Sequence, residues 1–151
     1  MRTIKLYLSI ALVTTAFGIF FSVSAVNAEP ANKLDVTVAG VRNSNGVVRC
    51  ELYSSPKGFR EPGKQFRDTV GQIRNGEATC VFNDLPAGSY ALAVFHAEQN
   101  ESQLQIDTFG KPKQGFGFSR NPYSAVAPPS FADTAFEYRG GYQGQLIRIT
   151  Y

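Results

Sequence analysis

The stretch "FNDLPAGSYALAVFH", residues 82–96, decides the fold class of this chain. Its second half is apolar on both faces of an extended strand, with Tyr90, Leu92, Val94 and His96 on one face and Ala91, Ala93 and Phe95 on the other. A strand with two apolar faces is typical of the interior of a sheet. Before it, Pro86 fixes φ and Gly88 accepts the backbone conformation of a tight turn, while Leu85 is expected to cap the core. The stretch therefore predicts a central β-strand that is entered through a tight turn.

Shorter alternating segments lie on both sides of this strand. "KLDVTVAGV" (33–41) and "VVRCELY" (47–53) carry apolar residues at every second position, which is the pattern of a half-buried strand. The Asn45-Gly46 pair between them is a tight-turn signal, so we predict that these two strands form a hairpin.

The remaining segments complete the fold class. Further strands are predicted at "TVGQI", "ATCVF", "TAFEY" and "QLIRITY", with a hairpin turn at "RNGE". Ser130 is expected to cap a single helical turn, and the sequence contains no amphipathic helix of ordinary length. About seven short strands predict an all-β fold, a two-layer antiparallel β-sandwich with long loops at one end.

The N-terminal residues have the features of a secretory signal peptide. Arg2 and Lys5 precede an almost uncharged apolar segment, residues 6–23. Val26 and Ala28 then stand at the spacing of a cleavage site for signal peptidase. A signal peptide is therefore predicted, and an uncleaved membrane anchor is the alternative.

This segment predicts the domain organisation and the location of the protein. The signal peptide covers residues 1–28, and residues 29–151 form a single β-sandwich domain that is periplasmic or secreted, with no transmembrane span after cleavage. Two of the 15 Lys and Arg residues belong to the signal peptide, so the mature domain is close to neutral against its 12 acids. Such a charge balance does not indicate a nucleic-acid partner.

The two cysteines, Cys50 and Cys80, are predicted to form a disulfide. An even number of cysteines in an exported chain favours this pairing, which stabilises a loop of such length by about 3–4 kcal/mol in the chain-entropy model. The alternative is a metal site completed by His96, but three ligands without short spacing make a poor metal signature.

Several phrases of the sequence together resemble a known family. "LDVTVAGVRNSNGVVRCELY", the Leu-Pro-x-Gly-x-Tyr-Ala phrase, "GKPKQGFGFS" and "PPSF" occur in this order along nearly all of the mature chain. They are similar to the bacterial domain-of-unknown-function family 2141, an exported single-domain family. The resemblance implies a transthyretin-like or Ig-like sandwich, and it implies no activity.

The family pattern after His96 resembles an oxygen-ligand loop for a hard cation, H-D-x-N-x-N-G-x-x-D. In this sequence Ala97, Gln99 and Ser102 stand at positions where the family has Asp, Asn and Gly. We therefore predict no metal site and no cofactor. The weak candidates for a degenerate divalent-cation site are the three acids that survive in this stretch: Glu98, Glu101 and Asp107.

The second half of the same stretch, "GKPKQGFGFS", keeps the family's glycines and aromatics. Glycines beside aromatic rings indicate close backbone approach, and the simplest interpretation is a loop that covers one end of the sandwich. The functional interpretation is a groove for an apolar or sugar ligand. The candidate groove residues are His96, Phe116, Phe118, Ser119, Tyr123 and Phe131.

Basic residues gather in the two long loops, residues 54–68 and 97–133. If the loops converge, these residues form a basic, aromatic patch suited to anionic glycans or lipid headgroups. The alternative is a pair of ordinary solvated loops anchored by Phe59 and Phe66. The candidate patch residues are Lys57, Arg60, Lys64, Arg67, Lys111, Lys113 and Arg120.

These features favour a non-enzymatic ligand- or partner-binding module of the periplasm, whose partner is a glycan, a lipid headgroup or another envelope protein. The alternative from another class is a small hydrolase that uses His96. That chemistry needs a serine and a carboxylate beside the imidazole, and Ser119 does not lie in a G-x-S-x-G nucleophile elbow. We therefore expect His96 to be a structural histidine at the end of its strand.

Overall fold

The computed structural model describes residues 32–122 and 127–151, and these ranges form two β-sheets and one short helix. The elements are β1 (Lys33–Ala39), β2 (Val47–Tyr53), β3 (Arg67–Gly71), β4 (Ile73–Arg74), β5 (Glu77–Asn83), β6 (Gly88–Ala97), β7 (Phe116–Phe118), α1 (Phe131–Thr134), β8 (Phe136–Tyr138) and β9 (Tyr142–Arg148). One sheet has four strands and the other has five. The prediction of an all-β, two-layer sandwich is confirmed.

The central strand of the five-stranded sheet is β6. It pairs along one edge with β2, and along the other edge with β7 at Ala93–Phe95 and with β8 at Gly88–Tyr90. β3 adds to the far side of β2. The prediction of a central strand from two apolar faces is confirmed, because both edges of β6 are paired.

The four-stranded sheet has the order β4-β5-β1-β9. β4 and β5 are joined by Asn75 and Gly76, which both have positive φ (53° and 78°), so the predicted hairpin turn is confirmed. β1 and β9 run parallel, in contrast to the wholly antiparallel pairing that was predicted. This pairing brings the two ends of the described chain into one layer.

The predicted hairpin between β1 and β2 is wrong. β1 pairs with β5 and β9, whereas β2 pairs with β3 and β6, so the two strands belong to different sheets. Each strand has one apolar face. Two such faces are buried equally well when the strands lie side by side in one sheet and when they face each other from opposite sheets. Residues 40–46 therefore cross between the sheets, with Val41 buried in the core. Gly46 (φ +65°) ends the crossing against the carbonyl group of Ala97.

The core lies between the sheets and contains the inward residues of every long strand. Leu34, Val36 and Val38 of β1 face Val48 and Leu52 of β2, and all five are fully buried. A disulfide between Cys50 of β2 and Cys80 of β5 links the two sheets through this core, as predicted. Because the two cysteines are 30 residues apart, the cross-link closes a loop that spans both layers.

The stretch "FGF" forms β7, a strand that sequence patterning assigned to a loop. Phe116 exchanges both backbone hydrogen bonds with Thr150 (2.9 Å each), so β7 also meets the chain that follows β9. A Cβ atom at Gly117 would lie 2.6 Å from the carbonyl oxygen of Arg148. The glycine is therefore required for close backbone approach, as its position beside aromatics predicts.

The segment after β7 forms hydrogen bonds with the edge of β9. The side-chain amide of Asn121 donates to the carbonyl oxygen of Leu146 (3.0 Å) and accepts from the backbone N–H of Arg148 (2.7 Å). Ser130 caps α1 in a capping box with Asp133, which confirms the predicted helical turn.

The predicted signal peptide, residues 1–28, lies outside the described residues. Within residues 32–122 and 127–151, no helix has the length and apolar character needed to cross a membrane.

Candidate functional site

A groove of about 520 Å³ lies on the outer face of the five-stranded sheet. Its floor is built from residues that point away from the core, namely Ala93 and Phe95 of β6, Phe116 and Phe118 of β7 and Glu51 of β2. Ala93 is paired in register with Glu51 on one side and with Phe118 on the other. Alanine is the smallest side chain of this set, so Ala93 leaves space between its two larger neighbours in register.

The two long loops form the walls, so they lie over a sheet face rather than at one end of the sandwich. Phe59 of the first loop packs against Phe118 and Phe131, with ring centroids 6.3 and 5.7 Å apart, and edge-on against Tyr53 at 5.2 Å. The loops therefore converge, as the basic-patch hypothesis requires. The residues that line the walls are Arg60, Pro62, Gln103, Leu104, Ile106, Gly110, Lys111, Pro112, Pro122, Ala127, Pro128 and Pro129.

Among the residues that the structure describes, three charged side chains line the groove: Glu51, Arg60 and Lys111. The hydroxyl of Tyr53 donates to the Glu51 carboxylate at 2.8 Å. Burial raises the pKa of Glu51 above its usual value of 4.5, and the hydrogen bond from Tyr53 opposes this shift. Burial also raises the pKa of Tyr53, so this phenol keeps its proton at neutral pH. The floor thus carries one hydrogen-bonded carboxyl group, and the walls carry two cations.

Of the predicted groove residues, the structure brings Phe116 and Phe118 together in the floor. Phe131 supports a wall through its contact with Phe59, and Tyr123 lies outside the described residues. Sequence reasoning missed Ala93 and Phe95. The apolar outer face of "SYALAVFH" was the available signal, because an outward apolar face on a central strand must be covered by other parts of the chain.

Ser119 was predicted to line the groove, and the structure places it elsewhere. It is fully buried, accepts a hydrogen bond from the backbone N–H of Leu92 (2.9 Å) and donates one to the carbonyl oxygen of Thr134 (2.6 Å). Its hydroxyl therefore joins β6 to α1. The polar end of "GFGFS" holds the second loop in place, and its aromatic part forms the site.

His96 was also predicted to line the groove, but its side chain points to the opposite face of β6. It is 0% exposed. Nε2 lies 2.8 Å from the carbonyl oxygen of Asn45, and Nδ1 lies 2.7 Å from the hydroxyl of Tyr151. A carbonyl oxygen can only accept, so Nε2 carries the proton and Nδ1 accepts from Tyr151. Both ring nitrogens are engaged within the fold.

Glu98 lies beside this histidine and is bound by the crossing segment. It forms an ion pair with Arg42, accepts from the side-chain amide of Asn43 (3.0 Å), and lies 3.9 Å from Nδ1 of His96. The Asn43 hydrogen bond, and next the Arg42 guanidinium, lower the pKa of Glu98 below 4.5. Arg42 also stacks over the ring of Tyr151, with 4.5 Å to the ring centroid.

The three weak metal candidates are not brought together. Glu98 is held by Arg42, and Glu101 accepts from the backbone N–H of Gln99 at 2.9 Å. Asp107 accepts from two backbone N–H groups of its own turn. Within the described residues, no group of three or more His, Cys, Asp or Glu side chains is arranged to hold a metal ion.

The predicted basic patch is divided. Arg60 and Lys111 reach the groove. Arg67 donates to the carbonyl oxygens of Asn83 and Asp84, and Arg120 lies 3.4 Å from carbonyl oxygens beside α1. The other candidates, Lys57, Lys64 and Lys113, are exposed on the loops.

The fold and the site define a class: a disulfide-linked β-sandwich with an apolar groove of ligand size on an outer sheet face. A family model described as an uncharacterised protein conserved in bacteria, DUF2141, matches residues 36–145, so the chain belongs to this bacterial family. The resemblance seen in the sequence is thereby confirmed. No curated protein and no solved structure matches the chain.

Proposed function

We propose that this protein is a non-enzymatic binding module of the periplasm that takes a ligand in the groove between its two long loops. The observation that carries the proposal is the groove itself, about 520 Å³ in volume and lined mainly by apolar side chains. Sites of this size and lining are typical of small-molecule recognition.

The surroundings of His96 favour binding over hydrolysis. A general base needs a free nitrogen within reach of a nucleophile. The imidazole is fully buried, and its nitrogens are bonded to Asn45 and Tyr151. The groove lies on the other face of the strand that carries it, so a ligand in the groove does not meet this side chain.

Export is part of the same proposal. It is supported by the signal-peptide pattern of residues 1–28 and by the disulfide between Cys50 and Cys80, which is typical of oxidising compartments. Cell fractionation and N-terminal sequencing of the recovered protein test it. Periplasmic protein that begins near residue 29 is expected, and intact protein in the cytosol would contradict it.

The binding proposal is tested by filling the groove. Ala93→Leu places a larger apolar side chain on the floor, between Glu51 and Phe118. The matched control is Thr79→Leu, at an exposed position of β5 in the other sheet. Thermal unfolding is measured for the three proteins against panels of glycans, lipids, fatty acids and metal ions.

A ligand that binds only the folded state raises the melting temperature. At least one organic class is expected to do so for the wild type and Thr79→Leu but not for Ala93→Leu. Equal shifts in all three proteins, or no shift with any class, would reject the groove as the binding site.

A further inference from the structure

The lining of the groove narrows the class of ligand. Phenylalanine rings form much of its floor, the second loop contributes aliphatic and proline side chains, and the first loop contributes Pro62. Among the described lining residues, the side chains with hydrogen-bonding groups are Glu51, Arg60, Gln103 and Lys111. These four side chains are a minority of the lining, and an alkyl chain gives up no hydrogen bonds when it leaves water for such an apolar surface.

The charged side chains of the groove indicate that its ligand also carries a charged group. Arg60 comes from the first loop and Lys111 from the second, so two cations lie on different walls of one groove. Within the described residues neither forms an ion pair within 4.0 Å. The Glu51 carboxylate is partly satisfied by the hydroxyl of Tyr53. The charges that line the groove therefore sum to one positive charge and complement one anionic group, and Asp107, outside the lining, interacts electrostatically with Lys111.

The backbone at both cationic residues is fixed by turns, while the residues themselves are exposed. The backbone of Arg60 lies in the left-handed region (φ 65°), within a turn closed by the hydrogen bond from Glu61 N–H to Gly58 O (3.0 Å). Lys111 belongs to a turn in which its backbone N–H donates to the Asp107 carboxylate at 2.9 Å. The turns order the backbone from which each cation extends, so binding need not order the backbone at these two positions.

We propose that the groove binds a single-chain anionic amphiphile, a fatty-acid carboxylate. Its alkyl chain lies along the phenylalanine floor, and its carboxylate is held by Arg60 and Lys111. This inference rests on the proposed function and adds the chemical class of the ligand.

Isothermal titration calorimetry with octanoate, decanoate and dodecanoate tests the alkyl part. Each methylene buried in the groove is expected to raise the affinity about fourfold until the chain outgrows the site. The alcohol of the same chain length lacks the charge, and its affinity is expected to be lower by about tenfold or more. An affinity that does not change with chain length, or equal affinities for acid and alcohol, would overturn the inference.

Charge variants test the anionic part. Arg60→Glu and Lys111→Glu are each expected to lower the affinity for dodecanoate about tenfold or more and to leave the affinity for dodecanol unchanged. The matched controls are Lys64→Glu and Lys113→Glu, which make the same charge change on exposed positions of the same two loops. Glu51→Gln removes from the floor a charge of the same sign as the ligand's. It is expected to raise the affinity for dodecanoate and not the affinity for dodecanol. A similar loss in the controls would show a general charge effect and reject the assignment of Arg60 and Lys111.

The remaining outcomes separate this inference from the proposed function. If glycans or peptides stabilise the wild type but not Ala93→Leu while no carboxylate binds, the groove is a binding site and the ligand class is wrong. If Ala93→Leu binds dodecanoate as well as the wild type, both proposals fail. Binding to anionic phospholipid vesicles without binding of monomeric dodecanoate would indicate a membrane surface and overturn the inference.

Discussion

The hydroxyl of Tyr151 lies 2.7 Å from Nδ1 of His96 and accepts the backbone N–H of Arg42 at 3.0 Å, so one phenol joins three parts of the chain. Tyr151 follows β9, His96 is the last residue but one of β6, and Arg42 belongs to the segment that crosses between the sheets. This corner fixes the point at which the second long loop leaves the five-stranded sheet.

Removing that hydroxyl is expected to destabilise the fold. Tyr151→Phe keeps the ring and leaves Nδ1 of a fully buried imidazole without its donor, which costs about 1–3 kcal/mol. Urea unfolding measures the change. Tyr142→Phe, at an exposed position of β9, is the control and is expected to change stability by less than about 0.5 kcal/mol. Equal effects of the two substitutions would contradict a special role for Tyr151.

The disulfide is expected to contribute substantially to stability. Replacing both Cys50 and Cys80 with alanine removes a cross-link between the sheets, and the free energy of unfolding should fall by about 3–4 kcal/mol. Thiol labelling of the unreduced wild-type protein should find no free cysteine. Two labelled thiols in protein recovered from the periplasm would contradict the bond.

The Glu98 ion pair predicts a pH-dependent contribution to stability. Its folded-state pKa is lowered, first by Asn43 and then by Arg42, and its side chain is 18% exposed. A lowered folded-state pKa means that this stabilisation is fully present above about pH 4.5, the pKa of the unfolded chain, and is lost as the pH falls through the lower folded value.

Glu98→Gln should therefore destabilise the protein at pH 7 by about 1 kcal/mol or less. The difference from the wild type should shrink in acid, below the folded-state pKa. Glu77→Gln, on an exposed position of β5, is the control for loss of a negative charge. A difference that stays constant from neutral pH into acid would reject the electrostatic explanation.

Because β7 and β9 approach closely, alanine substitution is expected to affect stability differently at two glycines. Gly117→Ala places a Cβ atom 2.6 Å from the carbonyl oxygen of Arg148, and this overpacking is expected to cost about 1–3 kcal/mol. At Gly144 no heavy atom lies within 4 Å of the added Cβ, so Gly144→Ala is the matched control and should be tolerated. Thermal unfolding compares the two, and equal melting temperatures would contradict the packing argument.

The sequence allowed prediction of features that depend on residues close together in the chain. Alternation predicted β1, β2 and β5, and the two apolar faces of residues 90–96 predicted the central strand. Pairing between distant strands was not predictable in the same way. The apolar faces of β1 and β2 can be buried whether the two strands are neighbours in one sheet or lie in opposite sheets. Only the hydrogen-bond register assigns them to separate sheets.

The site was predicted only in part for a similar reason. Phe116 and Phe118 stand out as aromatics beside glycines, and the structure places both in the groove. Ala93 has no distinctive chemistry, and its importance comes from being small between larger neighbours. The partners of His96 are 51 and 55 residues away along the chain, at Asn45 and Tyr151, so no local pattern shows them.

The side chain of Asn121 has a consequence for self-association. Its amide group occupies the carbonyl of Leu146 and the N–H of Arg148, the backbone groups through which an incoming strand would extend the four-stranded sheet. Exposed sheet edges template aggregation, and proteins block them with loops or side chains. The Asn121 side chain thus blocks edge-to-edge polymerisation at this part of β9.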